Sequence, residues 1–327
     1  MKKINLSLVI AALLVAKGAL AGGVIKIDGS STVYPITEAV AEEFQTAKKG
    51  AMKATVGISG TGGGFKKFCR GDTDISDASR PILKKEMDDC YLAGIKYYEL
   101  PVGYDGLAVV VNPANALNSI SVADLKKMWA PEAQGKVKNW NDVNPAWPAE
   151  PLKLFGAGSD SGTFDYFTEA IVGKAKSSRG DYTASEDDNV LVQGIANDKN
   201  AIGYFGMAYY EENKAKLKAL AIDNGKGSVL PTSETVKSGT YVPLSRPLFI
   251  YVNAQSYDTK PEVKEFVDFY LKNAQALVPQ VKYVALPPED YTEGQNRLAN
   301  KKLGTGFGGK SEVGLKVSDL LKREPKL

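Results

Sequence analysis

The chain is 327 residues long, with 41 lysines and arginines against 38 acidic residues, two cysteines and no histidine. Without histidine, a zinc or copper centre and a serine hydrolase working through an imidazole base are both poor readings. Residues 1–21 hold Lys2, Lys3 and Lys17 and no acid, so without them 38 basic residues face 38 acidic ones and charge gives no support to a nucleic-acid surface.

Lys2 and Lys3, the apolar run Ile4 to Ala16 and the Ala19-Leu20-Ala21 triplet form a basic, apolar and small-residue series, which is read as a cleavable secretory signal cut near Ala21. The run is too short to span a bilayer. An exported, periplasmic protein is expected, with residues 1–21 as signal peptide. The ~306 residues that remain are enough for two domains. In an oxidising compartment Cys69 and Cys90 favour a disulfide over two buried thiols.

Val24 to Asp28 alternates as a strand, Gly29 to Pro35 is a hydroxyl-rich turn, and Ile36 to Thr46 has helical spacing. Ala54 to Ser59 is a second strand, followed by the glycine-rich turn Ser59 to Gly64 and the helical Phe65 to Arg70. Thr73 to Ser79 is a third strand and Ile82 to Gly94 a helix. Ile95 to Pro101 and Gly106 to Asn112 are strands on either side of Val102-Gly103-Tyr104-Asp105, which is read as a crossing between lobes. Ser121 to Trp129 opens on a serine cap. Leu152 to Gly156 is a strand, Ala157 to Thr163 a serine-glycine turn and Phe164 to Val172 a helix.

Lys174 to Asp188 reads as polar surface and Asn189 to Asn197 as a helix. Ile202 to Phe205 reads as a strand, Met207 to Leu220 as a helix, and Tyr241 to Val252 as an extended return crossing. Pro261 to Ala274 is an amphipathic helix with proline at its start. Beyond Pro287 the chain turns polar and glycine-rich; Thr305 to Gly309 is expected to be flexible, and Val313 to Lys322 helical.

Strand, hydroxyl-glycine turn, helix thus occurs three times. Each such turn presents hydroxyls and free backbone N–H groups at the positive end of a helix, which suits an oxyanion. The competing structural role is helix capping, common and worth ~1 kcal/mol. Gly158 to Gly162 resembles a nucleophile loop but has no histidine base, and Gly64-Phe65-Lys66-Lys67 lacks the Gly-Lys-Ser/Thr ending of a phosphate-binding NTPase loop. Binding without turnover, no cofactor and no metal are therefore expected. Arg80 is a candidate for a charge-assisted bond to the anion, with a structural salt bridge as its alternative. Asp77 can only accept while ionised, so beside the anion it would select a ligand that keeps a proton, such as phosphate, over sulfate. Its alternative is turn capping.

Asp28 to Thr37, Gly57 to Pro81, Gly156 to Phe167, Tyr182 to Gly194 and Ala201 to Tyr210 resemble, in order and across nearly the whole chain, the phosphate-binding protein of the high-affinity phosphate ABC transporter, a class II periplasmic binding protein. The resemblance implies an α/β fold of two lobes, mixed sheets flanked by helices, with two crossing strands as hinge. On this reading lobe I is 22–103 with 246–327, and lobe II is 104–245. It also implies delivery of phosphate to a membrane permease with an ATPase, by a protein expected to be a monomer. Carried over by position, the ligand set is Ser31, Thr32, Val33, Thr61, Ser161, Gly162 and Thr163. Two departures stand out. Ala157 occupies the place of the family's arginine, so Arg80 or Arg179 is taken as the positive partner; the family's acidic acceptor aligns with Ser79, so Asp77 is taken as acceptor. The alternatives are a sulfate-like oxyanion, or a secreted phosphohydrolase or adhesin with the same pocket.

Overall fold

The apolar run from Ile95 to Asn112 forms the axis of the molecule. The computed structural model describes residues 23–327 except 160, 186, 311 and 313; the signal expected over residues 1–21 lies outside them. The chain opens with β1 (Val24–Gly29), α1 (Tyr34–Ala47), β2 (Lys53–Ile58), α2 (Gly60–Phe68), β3 (Ile75–Ala78), α3 (Lys84–Leu92) and the 15-residue β4 (Tyr97–Val111). Next come β5 (Ser119–Ser121), α4 (Val122–Trp129), α5 (Trp140–Val143), β6 (Lys153–Ala157), α6 (Gly162–Val172), β7 (Thr183–Ser185), α7 (Asp188–Ala196), β8 (Ala201–Gly206) and α8 (Met207–Glu212). The last part holds β9 (Lys218–Ala219), β10 (Ala221–Asp223), β11 (Ser228–Val229), α9 (Ser233–Lys237), β12 (Ser245–Asn253), α10 (Ala254–Thr259), α11 (Pro261–Gln280), α12 (Pro288–Ala299) and α13 (Val317–Lys322).

The main sheet runs β2-β1-β3-β12-β4-β8-β6-β7, with β9 added beside β4. At one end β1 pairs parallel with β2 and β3; at the other, β6 pairs parallel with β7 and β8. Between them β12 runs antiparallel to both β3 and β4. Every residue of β4 is buried, which its nearly unbroken apolar sequence reflects. Its first part pairs with β12 up to Gly106, and from Leu107 to Val111 it pairs with β8. One strand therefore serves both lobes, and with β12 beside it forms the double crossing of a two-lobed, mixed α/β binding-protein fold. In lobe I, α1 buries Ile36, Val40 and Phe44 against α11, where the rings of Phe44 and Phe266 meet edge to face at 5.3 Å. No helix among the described residues is long and apolar enough to cross a membrane.

Several expectations are corrected. Val102 to Asp105 is not a break between two strands: β12 pairs with Gly103, Tyr104 and Asp105, and its register shifts past Val102. The glycines of 60–64 are helical, forming the first turns of α2; a Cβ at Gly64 would lie 2.6 Å from Gly29 Cα, so glycine there lets the helix press on β1. The helix expected over Met207 to Leu220 stops at Glu212, and Leu217 to Ala219 turn inward to meet β4. The polar stretch after Pro287 forms α12. Thr305 and Phe307 are buried rather than part of a flexible tail. The last helix starts at Val317, and Val313 lies outside the described residues.

Cys69, at the end of α2, is bonded to Cys90 in α3, 21 residues on. Closing a loop of that size stabilises by about 3 kcal/mol on the chain-entropy account. Cys69→Ser with Cys90→Ser should lower unfolding stability by about that much in a denaturant titration; an unchanged midpoint would contradict it.

Candidate binding cleft

The three hydroxyl-glycine turns follow β1, β2 and β6, where the strands end and the helices α1, α2 and α6 begin. In an α/β sheet those ends face the ligand side. The α1 turn leaves its hydroxyls uncommitted to capping: the helix begins after Val33 with no side-chain cap, and Ser30 Oγ, not Ser31 or Thr32, accepts from Thr32 N at 3.2 Å. From lobe II, Ser161 caps α6 by accepting from Thr163 N at 3.1 Å. The two turns meet across the cleft: a Cβ at Gly162 would fall 2.3 Å from Thr32 Oγ1 and 3.0 Å from Ser31 Oγ. At the start of α2, Thr61 Oγ1 accepts from Ser79 N at 3.2 Å and lies 3.1 Å from Ser79 Oγ. Beside these groups a cavity of about 230 Å³ is lined by Ser79, Arg80, Tyr166, Pro243, Arg246 and Phe307, among others.

The charged candidates are placed differently from expectation. Arg80 reaches the cavity wall, but both terminal nitrogens of its guanidinium donate to Glu86, at 2.7 and 2.9 Å, and one also donates to Pro81 O. Arg179 is not among the residues that line this cavity. Its guanidinium is buried and donates to Asp181 and to the carbonyls of Met128 and Val137, which pins the segment after α4. Asp77 is placed in the core of lobe I rather than in the cavity wall. Its Oδ1 accepts from Thr37 at 3.0 Å, and Thr37 in turn contacts the hydroxyl of Tyr270 on α11.

Burial pushes the Asp77 carboxyl up to about 8, opposed by the Thr37 bond and aided by nearby Asp28. Because the folded chain holds this proton and the unfolded chain releases it near pH 4, the folded state loses stability as pH rises from about 4 through about 8. The thermal midpoint should fall over the neutral to alkaline part of that window, and fall less in Asp77→Asn. Parallel slopes in the two proteins would remove the protonated core carboxyl.

The groups that sequence reasoning passed over lie on the crossing strands. Arg246 of β12 stacks on the Tyr166 ring of α6 at 3.7 Å and faces Asp105 of β4 at 3.5 Å and Thr32 Oγ1 at 3.4 Å. Both charged side chains are largely covered, 13% and 7% exposed. Burial raises the Asp105 carboxyl, against the pull of Arg246. A lone arginine inside the apolar, proline-flanked run Pro243 to Tyr251 was the available signal, since charges are rarely placed in covered strands. Among the described residues no cluster of acidic or cysteine side chains is placed to hold a metal ion.

Two lobes on a double crossing, with oxyanion-type turns facing each other, define a solute-binding protein. Residues 15–274 match the PBP superfamily domain. The chain is 54% identical over 301 residues to protein SphX of Synechococcus elongatus, covering 92% of this chain and 88% of that one. It is 40% identical over 283 residues to the phosphate-binding protein PstS of Staphylococcus saprophyticus, covering 84% of each. A crystal structure of a possible phosphate binding protein from Planctomyces limnophilus superposes with a TM-score of 0.78 at 52% identity, covering 85% of this chain and 98% of that one. The chain belongs to the PBP superfamily, in the family of the PstS phosphate-binding proteins. That is a family of solute-binding proteins, not of enzymes.

Proposed function

We propose that the protein captures inorganic phosphate between its lobes and hands it to the membrane permease and ATPase of a phosphate ABC transporter, acting in the periplasm as an exported monomer without catalysis. The observation that carries this reading is the meeting of the Ser161-Gly162-Thr163 turn of lobe II with Ser31 and Thr32 of lobe I. In this reading Ser31, Thr32, Val33, Thr61, Ser79, Ser161, Gly162 and Thr163 form a cradle of neutral donors. Such donors satisfy a desolvated oxyanion through hydroxyls and helix-end N–H groups. The lobes divide at 103/104 and 245/246, so that β4 and β12 form the hinge, and closure on the ligand is a hinge motion. In this reading residues 1–21 direct export and are then cleaved off near Ala21.

Calorimetric titration of the processed protein, stripped of ligand by unfolding and refolding, tests this with phosphate and with sulfate. Tight one-to-one phosphate binding without a sulfate response is expected. Preference for sulfate would move the assignment to another oxyanion, and the absence of any response would remove the oxyanion site.

A further inference from the structure

We propose that Arg246, on the return crossing strand, is the cation that meets the bound oxyanion; this rests on the phosphate reading above. A guanidinium has five N–H donors and is costly to bury unless they are used. Arg246 is nearly covered, yet its buried Nε has no partner among the described residues, and the contacts of its terminal nitrogen to Thr32 and Asp105 are long, at 3.4 and 3.5 Å. Both lie at the outer limit for a hydrogen bond. The other two arginines considered for the role have partners that hold them: Arg80 forks onto Glu86, and Arg179 is held by Asp181 and two carbonyls.

The position suits the task. Arg246 lines the cleft cavity together with Ser79, adjoins Thr32 of lobe I and lies flat on Tyr166 of lobe II, so it touches the turn of one lobe and the helix of the other. Tyr166 is itself fixed by donating to Pro243 O at 2.7 Å. The Tyr166 ring, 3.7 Å from the guanidinium carbon, seats the cation and leaves its N–H donors for a tetrahedral anion. Ala157 offers no charge from the turn before α6. Arg246 therefore fills that role from the hinge, where it forms part of both lobes' contact with the ligand.

The test is titration of inorganic phosphate into the native protein, Arg246→Gln, Arg246→Lys and, as a control for a lost surface cation, Arg70→Gln, with melting curves on each. Native protein and R70Q should bind alike, and R246Q should lose roughly 100-fold in affinity. R246K, which keeps the charge but not the fork, should lose at least roughly 10-fold. If the native protein binds and R246Q stays within about threefold of it, the assignment of Arg246 is overturned while the phosphate reading stands. If R246Q does not fold, R246K decides, and unchanged affinity in it overturns the assignment. A native protein that binds no phosphate overturns both readings.

Discussion

Replacing Gly162 by valine should weaken phosphate binding by roughly 100-fold or more while leaving the ligand-free melting temperature almost unmoved. Gly162 is the first residue of α6, and its missing side chain is what lets the lobe II turn reach Ser31 and Thr32. A Cβ there would sit 2.3 Å from Thr32 Oγ1 and 3.4 Å from Thr32 N. Valine adds two methyl groups beyond that point. Either Thr32 rotates away from the cleft, losing a donor to the ligand, or the lobes stop short of contact and the anion remains hydrated. Both outcomes lower affinity. When the lobes part, the position lies in a first helical turn, where a β-branched residue costs only tenths of a kcal/mol. Titration calorimetry reads the affinity, and small-angle scattering with and without phosphate reads closure. Native affinity in Gly162→Val would mean that the two turns do not close on the ligand together.

The second large effect concerns stability. Glu99→Leu should lower unfolding free energy by roughly 3–6 kcal/mol, counting about 1–2 kcal/mol for each donor left buried and unpaired. Glu99 lies in β4, fully covered, and accepts from the Tyr251 hydroxyl of β12 at 2.6 Å, from the Thr305 hydroxyl, and from Gly306 N at 3.0 Å. Tyr251 also accepts from Ile82 N at 2.9 Å. One carboxyl thus ties together both crossing strands and the C-terminal segment. Burial raises its pKa, and the bonds from Thr305, Tyr251 and Gly306 pull it down again. Glu99→Gln keeps an acceptor of the same shape and should lose less than the leucine variant. Guanidinium unfolding of both variants checks the order; a loss under about 1 kcal/mol in Glu99→Leu would show that the donors find other partners.

Much of the site could be read locally. The turns at Ser31-Thr32, Thr61 and Ser161-Gly162-Thr163 were singled out by residue type and by the threefold recurrence of strand, hydroxyl-glycine turn and helix, against a capping role that Ser161 also fulfils. The charges were not legible in this way. Asp77 and Arg80 stand next to the turn residues in sequence, but a strand's side chains alternate between faces and a fork-shaped cation goes to whichever carboxylate is nearest in space. Asp77 therefore meets Thr37, and Arg80 meets Glu86. Arg246 and Asp105 are 141 residues apart and lie far from every motif, so only the pairing of β12 with β4 brings them together.

The same division holds for the fold. The apolar periodicity of Ile36 to Thr46 and Pro261 to Ala274 and the β-branched run Gly106 to Asn112 determine helix and strand from nearest neighbours in the chain, whereas the two cysteines only favoured the disulfide that the packing of α2 on α3 closes. Tertiary structure decided the rest. It made one strand of β4 across Val102 to Asp105 because β12 supplies partners there, and it made helix of the glycines 60–64 because α2 must lie against Gly29. It also buried the polar C-terminal segment because Glu99 needs its donors. In each of these cases the deciding contact comes from residues distant in sequence, whose free energy no local pattern contains.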